Sequence, residues 1–303
     1  MRTASIPTQR TRVWTNVRRV SFFYAALAPA FIIVAFLTIY PIINVLYDSL
    51  FRYDFIRDTR EFIGLTNFVR IAGETLFRRS FANTVAFTAM ASISQVALGV
   101  VLALLFYGEF RGKRIAMTII IFPMMISTMV ISAIWQMMYH FEIGVLNHLI
   151  RSVGLHPVGW LIDPSIALLS IVLVDTWQWT PFAFLIVQAG LNSIPREYFE
   201  SASIDGASYT QIVRRITLPI LRSQIILVLM LRTIDTFRLF DKVYAMTGGG
   251  PANATRTVSY FIYDEGFRYF NFGRASAASV YVLVFVSILA VFYIRSMFKE
   301  GEA

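Results

Sequence analysis

The sequence predicts an all-α integral membrane protein with six transmembrane helices, and two observations carry that expectation. Of its 303 residues, 57% are apolar and only 15% are charged, where a soluble domain carries about a quarter charged residues. The apolar residues also fall in runs of about twenty or more, which a soluble core does not need. Helices are the required form, because lipid offers no partner to unpaired backbone groups.

The runs define spans at about 21–46, 83–107, 115–139, 165–190, 221–246 and 275–297. Each can cross about 30 Å of hydrocarbon at 1.5 Å per residue. Orientation follows from Lys and Arg placement. Segment 1–20 carries Arg2, Arg10, Arg12, Arg18 and Arg19 with no acid. Connector 108–114 holds Arg111, Lys113 and Arg114, connector 191–220 adds Arg196, Arg214 and Arg215, and Arg295 and Lys299 lie at the end. In the opposite-side segment 47–82, six Arg are offset by five acids. Both termini are therefore expected in the cytoplasm. A cleavable signal peptide ending at Ala26-Leu27-Ala28 competes for the start, but its apolar region would span only about 7–15 residues, and this run continues past Ala28.

The expected organisation is a basic N-terminal segment at 1–20, then a first span with a large external loop at 21–82. A core of five spans follows at 83–297, with a cytoplasmic segment at 193–219, and a short tail closes the chain at 298–303. In the external loop Phe51, Tyr53, Phe55, Phe62 and Phe68 alternate with charges, as expected of short helices at the interface.

Several chemistries are excluded. The chain has no cysteine, hence no disulfide, thiolate metal site or cysteine nucleophile. The net charge of +9 belongs to the cytoplasmic helix ends rather than to a nucleic-acid partner. His140, His148 and His156 stand at eight-residue intervals that match no metal motif. Asp175 and Asp235 lack the G-x-G-D context of an intramembrane aspartyl protease dyad, which argues against that enzyme. Gly108–Arg114 is one residue short between its glycines for a phosphate-binding loop, and Arg114 stands where Ser or Thr would hold magnesium.

Segment 193–219 is the most informative stretch. Ser193 suits an N-cap, Pro195 a first turn, and Glu197 and Glu200 the positive end of a helix dipole. Gly206 predicts either positive φ or the close approach of another surface. Ser201, Ala202, Ser203, Ala207 and Ser208 keep the helix slim, and Pro219 halts one helix before the next. On the residues alone this is an amphipathic cytoplasmic helix. Its pattern, E-x-A-x-x-x-G followed by Ile216, Leu218 and Pro219, resembles the cytoplasmic signature of permease subunits in binding-protein-dependent ABC importers. Ser201 departs from the commonest form, which has Ala there.

Further stretches are similar to sugar permeases of the maltose-transporter type. They are Ile63–Phe68 with Asn83-Thr84, Asp175–Phe182, Thr247–Pro251 and Phe272-Gly273. The resemblance implies a type I ABC importer permease fold in a bacterial or archaeal cytoplasmic membrane. It implies that Glu200, Ser201, Ala202, Asp205, Gly206, Ala207, Leu218 and Pro219 dock on an ATPase. The implied partners are a dimer of such ATPases, a second homologous permease and an extracytoplasmic substrate-binding protein. ATP and Mg would be bound by the ATPase and no cofactor by this chain. The cargo would be an oligosaccharide, disaccharide or polyol.

Charges inside the spans point to function, because ionisable groups at that depth are expensive. Asp175 lies mid-way along the fourth span, beside a helix loosened by Pro181. Trp177, Gln178, Trp179 and Thr180 supply the stacking faces and hydrogen-bonding groups that sugars use. The fifth span carries Arg232, Asp235, Thr236, Arg238, Asp241 and Lys242. Arg232, Asp235, Arg238 and Asp241 follow at three-residue steps, which allows pairing along one face. Asp175, Trp177, Gln178, Trp179, Asp235 and Thr236 are thus candidates for the substrate pathway, and Arg232, Arg238 and Asp241 for intramembrane ion pairing. Pairing that locks two permeases together and contact with substrate both stay open. A secondary transporter or channel for small polar solutes is the alternative, but it has no use for a docking helix.

Overall fold

The computed structural model describes residues 9–54 and 59–298; Arg2, Phe55 and Lys299 lie outside them. Helix α1 (Gln9–Asp48) leads into a hairpin of β1 (Phe51–Asp54) and β2 (Thr59–Phe62), then α2 (Thr66–Gly73) and α3 (Thr75–Leu105). Next come α4 (Lys113–Ile121), α5 (Thr128–Met138), α6 (Val145–Ser152) and α7 (Ala167–Asn192). The segment after α7 holds α8 (Arg196–Ile204), α9 (Tyr209–Ile212), a π turn and α10 (Leu218–Ile220). The chain closes with α11 (Arg222–Thr236), α12 (Asp241–Met246), α13 (Val258–Tyr263) and α14 (Phe272–Phe298).

Among the described residues, four stretches are long and apolar enough to cross a membrane: Leu27–Asp48, α3, α7 and Phe272–Met297. The expected third and fifth spans are not straight helices. Lys113–Met125 and Thr128–Met138 meet at 97°, where Pro123 opens a 3-10 turn and Ile126 is extended. Helix α11 has 15 residues, about 22 Å and short of a bilayer core. It stops at Phe237, and Asp241 starts α12 as a separate helix. At its other end α11 meets Tyr209–Ile220 at 64°. Six spans are reached only when each bent pair counts as one.

Phe51–Asp54 and Thr59–Phe62 are paired antiparallel strands, not the interfacial helices expected. The alternation of aromatic and charged residues has period two, which suits a strand. It places Arg52 opposite Glu61 and Phe51 opposite Phe62, with an ion pair at 3.0 Å and an edge-on ring pair at 5.3 Å. Asn67 of α2 is buried and donates to the carbonyls of Ser49 (2.9 Å) and Phe51 (3.0 Å). The start of α14 closes this clasp. A Cβ on Gly273 would stand 2.0 Å from the Phe51 carbonyl oxygen, so only glycine lets the helix approach. Gly273→Val is expected to part the hairpin from α14 at a cost of about 1–3 kcal/mol. Faster proteolysis within 51–62 of the detergent-solubilised protein would report it; unchanged cleavage would contradict the packing.

The core rests on α3 against α7, the most extensive helix pair. Gly99 sets their separation, since an added Cβ would lie 2.6 Å from Ala183 Cβ. Small residues at such crossings let backbones approach closely in membranes. The buried stripe of α3 holds the polar Ser80, Thr84, Thr88, Ser92 and Gln95 among apolar Phe77, Phe87, Ala91 and Val96, whereas its exposed side carries Ile93, Leu98, Val101 and Leu105. That distribution suits lipid outside and hydrogen bonding inside. At one end of α3, Asn83 donates to the carbonyls of Asn253 and Arg256, both at 3.0 Å. Thr84 accepts from the Val258 N–H at 2.8 Å. The segment that follows the Thr247–Pro251 loop is thereby tied to Asn83 and Thr84.

Candidate functional site

Asp175 is the centre of a buried charge hub. Helix α7 presents it to α3, where the Gln95 amide donates to Oδ2 at 2.7 Å. Lys242, from α12, donates to Oδ1 at 2.7 Å, and Arg232 of α11 reaches Oδ2 at 3.4 Å. Arg232 also donates to Gln95 Oε1 and to Asp235 Oδ2, each at 2.7 Å. Its guanidinium lies 4.7 Å from the Trp179 ring centroid, a cation–π contact strengthened by desolvation. Asp235, half-buried, accepts from Arg238 at 2.8 Å. One polar network therefore joins α3, α7, α11 and α12 at the level where α11 breaks.

The break explains both a residue that sequence spacing missed and a pair that it expected. On a continuous helix Arg238 would meet Asp241. With the helix interrupted at 237–240, Asp241 is exposed and has no ion pair among the described residues, whereas Lys242 is 1% exposed and turned onto Asp175. Gln95 was missed entirely; its only sequence signal is an amide midway along an apolar run.

The candidate pathway residues separate into two groups. Trp179, Asp235 and Asp175 line an open cleft of about 260 Å³ together with Arg238, Asp241 and Lys242. A neighbouring cleft of about 300 Å³ shares Trp179, Asp235 and Arg238 and adds Phe182. Trp177 faces away, edge-on to Trp135 at 5.5 Å. Gln178 is buried and donates to the Ile126 carbonyl at 3.2 Å, supporting the bend between α4 and α5. Thr236 is buried, its hydroxyl bonded to the Arg232 carbonyl at 2.8 Å. A half-exposed aromatic beside paired charges can stack on an apolar ring face and exchange hydrogen bonds with hydroxyls. Among the described residues no cluster of His, Cys, Asp or Glu is placed to hold a metal ion.

The second site is the arm that follows α7. Ser193 does not cap α8 as expected; it ends α7, its hydroxyl donating to the Gly190 carbonyl at 2.7 Å, and Pro195 holds the N-cap position of α8. Gly206 has φ +78°. Its N–H bonds the Ser203 carbonyl at 3.1 Å, and the Ala207 N–H bonds the Ala202 carbonyl at 3.0 Å, the pair of bonds that defines a Schellman stop. An added Cβ there meets nothing within 4 Å, so the glycine is required by backbone conformation and not by space within the chain. Ser208 and Gln211 form a capping box that restarts the helix. A π turn at Val213–Thr217 then precedes Pro219, which has no N–H to offer a helical ladder.

Glu200, Ser201, Asp205, Gly206 and Pro219 are exposed, Ala207 and Leu218 are half-buried, and Ala202 is turned inward. Phe199 packs on Tyr107 with ring centroids 5.4 Å apart, fixing α8 to the end of α3. Ile204 is 87% exposed, and Tyr198 and Tyr209 of the same arm are exposed as well. Sequence spacing gave these three no role, and Ile204 is the most exposed of the large apolar side chains among the described residues.

A bundle whose polar groups face inward, with a charged hub at helix breaks and a capped arm beyond the bundle, defines a multi-pass transport subunit. The chain belongs to the family described as binding-protein-dependent transport system inner membrane component, which matches residues 95–298. It is 34% identical over 275 residues to the trehalose/maltose transport system permease protein MalF of Thermococcus litoralis, covering 90% of this chain and 92% of that one. It is also 34% identical to the trehalose transport system permease protein SugA of Mycobacterium tuberculosis, covering 97% and 94%. Its fold is similar to a chain of a bacterial ABC transporter involved in import of the acidic polysaccharide alginate. That match has a TM-score of 0.83 at 22% identity and covers 95% of this chain and 99% of that one.

Proposed function

We propose that this chain is one of two homologous permease subunits in an ATP-driven importer for an oligosaccharide, disaccharide or polyol. The single observation that carries the reading is the arm at 196–220, a helix stopped at Gly206 and restarted at Ser208, with exposed Ile204 at its turn. Such an arm suits docking on an ATPase, and relatives named for trehalose and maltose transport support a sugar cargo. Both termini and the arm face the cytoplasm of a bacterium or archaeon, and the hairpin end faces outward toward a substrate-binding protein. A pair of ATPases binds ATP and Mg, and their closure moves the docked arms together to open the pathway outward. The clefts beside Trp179, Asp235 and Arg238 form this subunit's part of the pathway. The chain supplies no catalytic residue.

Uptake of labelled sugar into proteoliposomes tests this. Accumulation is expected only with the ATPase, the second permease and the binding protein present, and with ATP on the arm's side. Uptake by this chain alone, driven by an ion gradient, would instead establish a secondary transporter.

A further inference from the structure

The charged groups around Trp179 balance, and one of them is left without a partner. Asp175, Asp235 and Asp241 stand against Arg232, Arg238 and Lys242. Lys242 is bound to Asp175 Oδ1 at 2.7 Å, Arg232 to Asp235 Oδ2 at 2.7 Å and Arg238 to Asp235 Oδ1 at 2.8 Å. Each cation thus has a carboxylate. The Asp241 side chain has no hydrogen bond or ion pair among the described residues, and it is exposed on the wall of the cleft of about 260 Å³. As the first residue of α12 it suits a helix start, yet both its carboxylate oxygens stay free.

The same cleft holds what an uncharged, hydroxyl-rich molecule needs. Trp179 is a half-exposed aromatic ring on its wall, Asp241 an open acceptor and Arg238 an open donor. The Arg238 side chain is 75% exposed, and its guanidinium has more N–H groups than the Asp235 contact uses. An ionised cargo group finds no such match. Arg232 and Lys242, 2% and 1% exposed, cannot turn toward an anion without stranding the buried Asp175. An anion on Arg238 would compete with Asp235 and meet the repulsion of Asp241.

We propose that Asp241 binds cargo hydroxyls in this cleft and, with Arg238, makes it selective for uncharged polyhydroxy cargo over phosphorylated or uronate sugars. The cargo role rests on the cleft being part of the pathway, as proposed above; its charge preference does not.

Thr128→Cys places a thiol on the cleft wall of a chain that has no cysteine. In the assembled transporter, its reaction with an anionic and a cationic methanethiosulfonate is followed on this chain by mass spectrometry. Adding Asp241→Asn is expected to raise the anionic-to-cationic rate ratio about tenfold, whereas adding Asp241→Glu leaves it unchanged. In proteoliposomes Asp241→Asn is expected to cut ATP-driven uptake of a labelled neutral disaccharide about tenfold, and Asp241→Glu to restore it. An unchanged ratio, or no reaction with either reagent, overturns the proposal, as does normal uptake by Asp241→Asn. Loss of the second permease on purification of Asp241→Asn also overturns it, by making Asp241 a subunit contact. A wild-type transporter that takes up no neutral disaccharide overturns the sugar reading and with it the cargo role, while the reagent ratio still decides the charge preference.

Discussion

Gly206→Asp is expected to abolish ATP-driven uptake while the protein still inserts and folds. The backbone at φ +78° costs a non-glycine residue about 1–2 kcal/mol, and Asp and Asn tolerate it better than other side chains. No neighbour within the chain obstructs the new side chain, so the bundle is unaffected. What changes is the exposed turn beside Ile204, which gains a carboxylate where the ATPase would close. Glu200→Lys should act in the same way by reversing charge on the same exposed surface. Gly206→Asn separates shape from charge: if uptake is lost with Asn as well, close approach is the requirement. Transport at the normal rate in both Gly206→Asp and Glu200→Lys would remove the docking assignment.

Asp175→Leu is expected to destabilise the protein itself. It leaves Lys242 and Arg232, 1% and 2% exposed, without the carboxylate they share. Removing one partner of a buried pair costs about 3–5 kcal/mol, a large share of a protein's net stability. A fall in thermal midpoint in detergent would report it. The double variant Asp175→Leu/Lys242→Met is expected to be more stable than the sum of the single effects by about 0.5–3 kcal/mol, because the second change removes a stranded cation. Strict additivity would mean that the two side chains do not share the interaction seen at 2.7 Å.

These two sites also show where the sequence was legible. Of the four stretches that form long helices, those at Ala167–Asn192 and Phe272–Met297 lie within three residues of their expected bounds, whereas α3 begins at Thr75, eight residues before the expected start, because Arg78 and Arg79 mask its first turns. The stop at Gly206 was open to two readings, and the backbone conformation is the one realised within the chain. The break in the third span lies in a run without a charge, so composition did not separate it from a straight span, while the charges of the fifth span at Arg232, Asp235, Arg238, Asp241 and Lys242 fit ion pairing along an unbroken helix equally well. What permits the first bend is distant in sequence: Gln178 of α7 donates to the carbonyl of Ile126. The second break rotates Lys242 out of the register that three-residue spacing assumes, so its partner Asp175, 67 residues away, could not be read from local pattern. In the hairpin the period-two signal is present at Phe51 and Tyr53, and aromatic residues alternating with charges fit a strand and an interfacial helix alike over so short a stretch. Ser193 closes α7 although a serine before Pro195 fits an N-cap equally well by pattern.

The central claim is that the 196–220 arm is where an ATPase meets this chain. Photo-crosslinking tests it most directly: Ile204→Cys is labelled with a benzophenone maleimide in membranes containing the assembled transporter, with Leu65→Cys beside the hairpin as control. The account predicts a covalent adduct with the ATPase at position 204 and none at 65. An ATPase adduct at 65, or its absence at 204 in a complex that still hydrolyses ATP on addition of loaded binding protein, would contradict it.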